Sequence, residues 1–318
     1  MNRILETTKF VVDHADHVRI NHDRLIEFAG TFDHGSATHW LQAAPFDFSH
    51  FSDEEKLHFL FLFNVLSFCY WGEPKWTVHY QNKKYDGAWG MILALGRAIE
   101  EEGDLLNFDT CSRLPKETFA SVLRGDGEIP LFEERWSIVQ EVGKIMVEQF
   151  DGKVSILLAR ADGDAHILLD LIDKAFPSFF DASIYKNQTI FFQKRAQLFV
   201  ADVYQIFDGK SFGALQKVDQ ITACADYKLP QILRKFDILQ YTKALSQKID
   251  SQQELPHGSV EEIEIRAHTI WAVEQLTNEI KKRLPHIQAF QVNDHLWLAT
   301  QEKFSIDKPY HRTRTTAY

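Results

Sequence analysis

The chain turns at Ala225-Asp226-Tyr227-Lys228-Leu229-Pro230-Gln231, where one predicted helix ends and the next begins. The first helix is expected to arrive from about Val218. Pro230 suits the start of the second, because proline lacks the N–H that a first helical position leaves unpaired. It also pushes Leu229 away from helical dihedrals, so the break is expected there. Asp226 would lie at the negative end of the first helix dipole, where a carboxylate costs a few tenths to about 1 kcal/mol. Such a residue is a candidate for a function elsewhere.

Outward from this turn, most of the chain shows apolar side chains at the spacing of amphipathic helices. Ser52 and Glu55 form a capping box at the start of a helix predicted to continue to Trp71, apolar on nearly every side and therefore central. Residues 75–80 alternate apolar and polar side chains, which predicts a strand, and Asp86-Gly87 follows as a turn. The other predicted helices are two within residues 1–29, then 89–101 (closed by Gly103), 114–123, 130–150, 154–158, 165–175, 189–207, 215–226, 230–236, 244–249 and 259–284, the last with a capping box of Ser259 and Glu262.

The resulting fold class is mostly α, a single large helical domain with room for one small β-hairpin. No internal repeat, low-complexity segment or long linker interrupts the 318 residues. Two helical lobes are compatible with this pattern, but no boundary between them can be assigned. The last segment, residues 292–318, contains Leu296-Trp297 and Pro309-Tyr310-His311-Arg312, and it is expected to pack back onto the body.

The charge balance limits the partners. With 35 Lys and Arg against 45 Asp and Glu, the formal net charge is −10, so neither long nucleic acids nor anionic membrane surfaces are expected to bind. A small anionic ligand in a locally basic pocket remains compatible with this charge. The most apolar segment, residues 57–71, is shorter than a membrane span and is interrupted by polar residues. The first residues lack the apolar run of a signal peptide, so a cytoplasmic location is expected.

Common cofactor and metal motifs are missing from the sequence. There is no GxGxxG, P-loop, GxSxG or HExxH pattern. Glu55-x-x-His58 resembles part of a four-helix carboxylate metal site, but no second copy is found, so neither a metal nor a cofactor is expected. Cys69, Cys111 and Cys224 are isolated and are expected to be buried thiols rather than disulfide or zinc partners.

Three clusters outside the central helix could carry chemistry, and each also has a purely structural interpretation. Lys194-Arg195 follows two aromatic residues on a helix and could hold an anion, or be a solvated surface pair. Asp226 at a helical corner is what glycosidic-bond cleavage needs, because a carboxylate stabilises an oxocarbenium-like transition state, but it could equally cap a turn. Glu261 and Glu264 enter the start of one helix, where the helix dipole alone would explain them.

A fourth cluster lies in the central helix. Asn64 and Ser67 are predicted on one face of it, where a buried amide must find a partner or a ligand. Phe68, Tyr70 and Trp71 offer flat faces on which a heterocycle could stack. The alternative interpretation of this segment is an aromatic core.

Six motifs follow one another along the chain, and the tail adds Pro309-Tyr310-His311-Arg312-Thr313. They are Phe63-Asn64-x-Leu66-x-Phe68-x-Tyr70-Trp71, Pro130-Leu131-x-Glu133-Glu134-Arg135, Phe176-Pro177-Ser178-x-x-Asp181, Lys194-Arg195-Ala196-Gln197, Ala225-Asp226-Tyr227-x-x-Pro230-Gln231 and Glu261-Glu262-x-Glu264-Ile265-Arg266-Ala267. In this order, and over nearly the whole chain, they resemble the queuosine salvage family, the queuosine 5′-phosphate N-glycosylases. Lys228 stands where the family pattern has Arg, which keeps the charge but loses a bidentate contact.

The resemblance implies an all-helical fold related to the helix-hairpin-helix DNA glycosylases, in one domain that spans residues 1–318. It implies hydrolysis of the N-glycosidic bond of queuosine 5′-monophosphate, a small nucleotide, with release of the base queuine for salvage into tRNA. Asp226 corresponds to the family's catalytic aspartate and Lys194 to its essential active-site lysine. Whether Asp226 attacks, activates water or stabilises charge stays open at this point.

The chemistry of this substrate adds further expectations. A 7-deazapurine lacks N7, so it cannot be protonated there, and cleavage must rely on electrostatic stabilisation of the sugar cation and on hydrogen bonds to the base edge. The 5′-phosphate needs a cation, for which Lys194 is preferred to Arg195 or Lys228. The secondary ammonium of the substrate favours a nearby carboxylate, which the sequence does not identify. The expected substrate-binding residues are Asn64, Phe68, Trp71, Arg195, Tyr227 and Lys228.

Two other hypotheses remain at this stage. A protein with the glycosylase fold could bind a modified polynucleotide, although the net charge of −10 disfavours it. A non-enzymatic helical scaffold is the other alternative, and it predicts that Asp226→Asn and Lys194→Ala leave every activity unchanged.

Overall fold

A computed structural model describes residues 2–32, 35, 39–102, 104–301 and 308–318. These residues are mostly helical, which confirms the predicted fold class. The helices are α1 (Arg3–Asp13), α2 (His22–Thr31), α3 (Asp53–Leu66), α4 (Gly87–Glu102), α5 (Phe108–Ser112), α6 (Lys116–Val122), α7 (Phe132–Phe150), α8 (Val154–Arg160), α9 (Ala165–Ala175), α10 (Lys194–Ile206), α11 (Lys228–Lys235), α12 (Lys243–Asp250), α13 (Val260–Lys281) and α14 (Ala289–Ala299). The strands are β1 (Val18–Ile20), β2 (Thr77–Tyr80), β3 (Lys83–Asp86), β4 (Ala182–Tyr185), β5 (Gln188–Phe191) and β6 (Leu239–Tyr241).

The strands form three antiparallel pairs in the described part of the chain, where the sequence predicted one hairpin. β2 lies within the strand predicted at residues 75–80 and pairs with β3. β4 and β5 form a second hairpin, and β5 occupies the start of the helix that was predicted from residue 189. Both hairpins turn through two residues with φ between 46° and 66°, as two-residue turns that match the strand twist require. β1 pairs with β6 and ties the N-terminal segment to the chain near residue 240.

α3 lies in the middle of the largest apolar cluster. All its residues from Phe59 to Leu66 are at most 2% exposed, so the whole circumference of the helix is buried, as predicted. The predicted capping box at its start is also present, with hydrogen bonds in both directions between Ser52 and Glu55. α4, α7, α8 and α10 pack around it.

The end of α3 differs from the prediction. The helix stops at Leu66 rather than continuing to Trp71, because the buried guanidinium of Arg135 takes over the carbonyl groups that a helix end leaves unpaired. Arg135 donates to the carbonyl oxygens of Leu66, Phe68 and Cys69. The segment after Leu66 is therefore irregular, and Ser67 does not share a helical face with Asn64.

The corner around Asp226 also differs. Residues 221–225 are buried and have no regular secondary structure, so the predicted helix over residues 215–226 does not form. Side chains from elsewhere in the chain bond this backbone, since Thr222 N–H donates to Gln197 Oε1 at 2.9 Å and Cys224 N–H to Asn293 Oδ1 at 2.9 Å. The next helix begins at Lys228 and includes Leu229, so the predicted break at Leu229 is wrong.

α13 and the tail close the fold. Ser259 caps α13 as predicted, by accepting from the Glu262 N–H at 3.4 Å. The Glu262 side chain does not complete the predicted box, since it accepts instead from Gly258 N–H and the Tyr318 hydroxyl. Residues 308–318 pack onto the body, which confirms that prediction for this part of the tail, and Gly103 lies outside the described residues. Among the residues described, no helix is both long and apolar enough to cross a membrane.

Candidate active site

A cleft with an empty volume of about 880 Å³ is lined by the end of α3, the starts of α10 and α11, and one face of α14. The apolar wall is largely aromatic, formed by Trp40, Phe63, Phe68, Tyr70, Trp71, Tyr227, Trp297, Tyr310 and Tyr318. The polar and charged residues of the wall include Ser67, Lys75, Asp86, Lys194, Asp226, Lys228, Asn293, Asp294 and Gln301.

Asp226 lies directly before the N-terminus of α11. Its Oδ1 accepts from the backbone N–H of Lys228 at 2.8 Å and from that of Leu229 at 3.0 Å, while Oδ2 takes part in neither bond. The carboxylate therefore lies at the positive end of a helix dipole, and the expectation that it opposes a dipole is wrong. Since Asp226 also lines the cleft, turn cap and reactive group are not exclusive interpretations.

Lys194 is the first residue of α10 and extends into the same cleft. The side chain is buried, with 5% of the residue exposed, and its Nζ donates to Ser67 O at 3.0 Å and to Ser67 Oγ at 3.4 Å. The irregular backbone after α3 is what presents the Ser67 carbonyl to this ammonium. An ammonium has three N–H donors and Ser67 accepts two of them, so the third is available to act on a neighbouring charge.

Burial shifts the pKa values of both groups. It raises the pKa of Asp226, and Lys194 together with the two backbone N–H donors acts in the opposite direction without cancelling the effect. Burial likewise lowers the pKa of Lys194, against the opposing influence of Asp226. Each charge thus favours the charged form of the other group, and both groups are poorly solvated in the cleft that they line.

A buried ion pair links the backbones of these two residues. Arg266 of α13 donates to both oxygens of Asp181 at 2.8 and 2.7 Å, and Asp181 Oδ2 accepts from the Lys194 backbone N–H at 3.0 Å. The same guanidinium donates through Nε to the carbonyl of Ala225 at 3.1 Å. The Arg266 side chain therefore fixes both the start of α10, through Asp181, and the residue before Asp226.

A second group of cations lies at the mouth of the cleft. Lys75 pairs with Asp86 at 2.9 Å, and the side chains of both residues are nearly half exposed. Lys228 Nζ lies 5.2 Å from the centre of the Tyr310 ring, within the range of a cation–π contact. Tyr310 comes from the tail, so residues 308–318 contribute directly to the wall.

Residues 48–318 match the family profile described as queuosine salvage protein. The chain belongs to the queuosine salvage protein family. A queuosine 5′-phosphate N-glycosylase/hydrolase from Sphaerobacter thermophilus is 38% identical over 319 residues, which cover 99% of this chain and 97% of that protein. The protein of the same name from Mus musculus is 32% identical over 84% of this chain and 83% of its own length. The one from Dictyostelium discoideum is 28% identical over 99% of this chain and 98% of its own length.

Six of the eight residues predicted for the site of a queuosine salvage protein line the cleft. The structure brings together Asp226, Lys194, Tyr227, Phe68, Trp71 and Lys228.

The other two predicted residues, Asn64 and Arg195, do not line the cleft. Asn64 Nδ2 donates to Leu60 O and to Asp202 Oδ2, both at 3.0 Å. Arg195 is 1% exposed and donates to Val65 O at 2.6 Å and to the carbonyl of Ser178. Consecutive helical side chains point about 100° apart, so Arg195 faces the core where Lys194 faces the cleft. The interpretation of Lys194-Arg195 as a solvated surface pair is wrong as well, since both are buried.

Sequence reasoning missed one wall of the cleft in this queuosine salvage protein. Asn293 and Asp294 lie on α14, with Trp297 one turn further along and Trp40 beside them. Adjacent Asn and Asp in an otherwise apolar helix must find partners or a ligand, which is the signal that could have identified them.

The remaining polar clusters have structural partners away from the cleft. Glu264 accepts from the N–H groups of Asp16 and His17, and Glu261 pairs with Lys248 at 2.7 Å. His58 lies beside Glu54 rather than Glu55. Within the described ranges, no group of three or more His, Cys, Asp or Glu side chains is arranged to hold a metal ion.

Proposed function

We propose that this protein hydrolyses the N-glycosidic bond of queuosine 5′-monophosphate and releases queuine. The observation that carries the proposal is a carboxylate, Asp226, held by two backbone N–H groups in the same aromatic cleft as a buried ammonium, Lys194, in a queuosine salvage protein. In the reaction the bond between C1′ and the base nitrogen breaks with its electron pair leaving on the base. A water oxygen bonds to C1′, and the proton of that water balances the charge on the base.

Asp226 stabilises the positive charge that develops on the ribose. Its orientation is set in advance, because Oδ1 is fixed by two backbone N–H groups and Oδ2 is left for the sugar or the attacking water. A group that needs no reorganisation at the moment of reaction is most effective in a poorly solvated site. This matters for a 7-deazapurine, which cannot be protonated at position 7 to improve it as a leaving group.

Lys194 keeps Asp226 ionised. Burial alone favours the neutral carboxylic acid, and the neighbouring ammonium opposes that tendency. Its donors already contact Ser67 deep in the cleft, which supports a role at the reacting centre rather than at the phosphate. We therefore assign to Lys194 the electrostatic role and not the phosphate contact that the sequence favoured.

The 5′-phosphate is placed at the mouth, beside Lys228 and Lys75. Both line the cleft, and a dianion there keeps most of its hydration while it gains two cations. The base occupies the aromatic interior, where Phe68, Trp71 and Tyr227 offer ring faces and edges for stacking.

The test compares three substrates with the purified protein: queuosine 5′-monophosphate, queuosine, and an RNA oligonucleotide that contains queuosine. Free queuine is measured by chromatography and mass spectrometry. The expected order of kcat/KM is nucleotide first, then nucleoside, with no release from RNA. If the nucleotide yields no queuine, or if RNA is the better substrate, the proposal is wrong.

A further inference from the structure

Asn293 and Asp294 form a polar pair on an otherwise aromatic part of the cleft wall. Both side chains line the cleft although only 5% and 2% of these residues is exposed. Trp40 and Trp297 lie on the same wall, with their rings in edge contact at a centroid distance of 5.4 Å. Polar groups so deeply buried on a cavity wall are typical of positions that orient a ligand.

The orientation of the Asn293 amide is fixed by the backbone. Its Oδ1 accepts from the Cys224 N–H at 2.9 Å, so the amide nitrogen must point away from that segment. Nδ2 donates one hydrogen to Asp294 Oδ1 at 3.2 Å. An amide nitrogen carries two hydrogens, and the second is available to an acceptor in the cleft.

The Asp294 carboxylate accepts hydrogen bonds, but among the described residues it forms no ion pair with a cation. Its Oδ2 accepts from Gln205 Nε2 at 3.0 Å and from the Trp40 N–H at 3.4 Å, and among the residues that the structure describes Oδ1 accepts only the Asn293 bond. Burial raises its pKa to about 6, the charge of His39 acts against this shift, and the charge of Asp202 acts in the same direction as burial. A buried carboxylate with acceptor capacity left over gains from further N–H donors.

The pair is close to the proposed reacting centre. Asn293 bonds the backbone of Cys224, which precedes Asp226 by two residues. Cys224 itself lines the cleft together with Lys194, Asp226 and Asp294, and burial raises the pKa of its thiol. A base held against Asn293 and Asp294 would therefore have its sugar directed toward Asp226.

We propose that Asn293 and Asp294 recognise the hydrogen-bonding edge of a guanine-type base. Asp294 accepts from the ring N–H and the exocyclic amino group, and Asn293 donates to the ring carbonyl. The inference rests on the proposed function, and it names the two side chains that select the base of the nucleotide substrate. It assigns Asp294 to the base edge and not to the side-chain ammonium of the substrate.

The test is a comparison of substrates across variants. The substrates are queuosine 5′-monophosphate, its analogue with hydrogen in place of the exocyclic amino group, and its analogue with an uncharged side chain. The variants are Asp294→Asn and a matched control, Asp202→Asn. Asp202 belongs to the same buried group but does not line the cleft, and it accepts from Trp40 Nε1 at 2.7 Å and from Asn64. Within the described ranges the oxygen of Asn64 has no hydrogen-bond partner, so its amide can turn to accommodate the control substitution.

The wild-type protein is expected to prefer the amino-bearing base over the analogue without the amino group by about ten-fold or more in kcat/KM, the effect of one hydrogen bond to a charged group. Asp294→Asn should lose that preference, and Asp202→Asn should keep it. The inference is overturned if Asp294→Asn keeps the preference. It is equally overturned if Asp294→Asn lowers kcat/KM for queuosine 5′-monophosphate but not for the analogue with the uncharged side chain, since Asp294 would then bind the ammonium.

A second variant and a binding measurement guard against misfolding. Asn293→Ser removes the amide donor, and it should lower kcat/KM for the nucleotide while the preference for the amino group persists. Binding of free 7-deazaguanine and of its counterpart without the amino group can be followed by tryptophan fluorescence. If the wild-type protein releases no base at all, the proposed function is wrong. The binding measurement then tests the inference separately, and equal affinity for these two bases would overturn it.

Discussion

The two cationic regions of the cleft differ in how firmly they are held. At the deep end, the Lys194 ammonium is buried and bonded to Ser67, and Asp226 is bonded to two backbone N–H groups. At the mouth, Lys75 is nearly half exposed, and Lys228 lies over the ring of Tyr310. Charges in a poorly solvated place act strongly on each other, whereas charges in contact with water are screened. The deep pair is therefore suited to the chemical step and the mouth to binding.

The largest effect is expected from Asp226→Asn. The amide oxygen can still accept from Lys228 N–H and Leu229 N–H, so the corner should fold, but the negative charge is gone. We expect kcat to fall by about 100- to 1,000-fold, the range seen when one electrostatic group of an active site is removed. Initial rates of queuine release measure this, and an unchanged melting temperature confirms folding. A variant with normal kcat would remove Asp226 from the chemical step.

Lys194→Met should have the next largest effect. The lost cation leaves Asp226 with the full influence of burial, so the carboxyl pKa rises further above its ordinary value. Because activity needs the ionised form, the acidic limb of the kcat profile should move to higher pH, and kcat at neutral pH should fall by about 10-fold or more.

The same variant separates the two regions of the cleft. The ratio of kcat/KM for the nucleotide to that for the nucleoside should be unchanged in Lys194→Met. A loss of this ratio would return the phosphate contact to Lys194, as the sequence suggested.

Lys228→Ala should affect binding and not chemistry. We expect KM for the nucleotide to rise by about 3- to 10-fold, since a partly solvated charge contact contributes about 1 kcal/mol. The nucleoside should be handled as before, and added salt should reduce the difference. Lys144→Ala is the matched control, because this exposed lysine lies on α7 away from the cleft. A fall in kcat for both substrates would show that the mouth takes part in the chemical step.

The smallest effect is expected from Ser67→Ala. The hydroxyl lies 3.4 Å from Lys194 Nζ, and the stronger bond, from Nζ to the backbone carbonyl at 3.0 Å, is unaffected by the substitution. We expect kcat to change by less than about 3-fold, since one long hydrogen bond contributes little. A larger loss would mean that the hydroxyl itself contacts the substrate.

Local signals in the sequence predicted much of the fold. The capping box of Ser52 and Glu55, the helix over residues 165–175 and the alternation before Asp86 all depend on neighbouring residues, and all three elements form. The irregular segment before Asp226 could not be predicted in this way. Its backbone is bonded by Gln197 and Asn293, which are distant in sequence.

The site likewise has residues that the sequence could identify and residues that depend on how distant segments pack. The resemblance to a family identified Lys194 and Asp226, and both line the cleft. Arg195 was also expected in the site but is buried in the core, because which of two adjacent side chains faces a cavity depends on how the helix packs. Asp294 was missed because its importance arises only when α14 packs beside the corner that contains Asp226.

The most direct measurement is the product balance of a single turnover, with wild-type protein in excess over queuosine 5′-monophosphate. Hydrolysis of the glycosidic bond predicts queuine and ribose 5-phosphate in equal amounts, each matching the substrate consumed. Consumption of substrate without queuine, or release of inorganic phosphate with the nucleoside left intact, would contradict the proposed reaction.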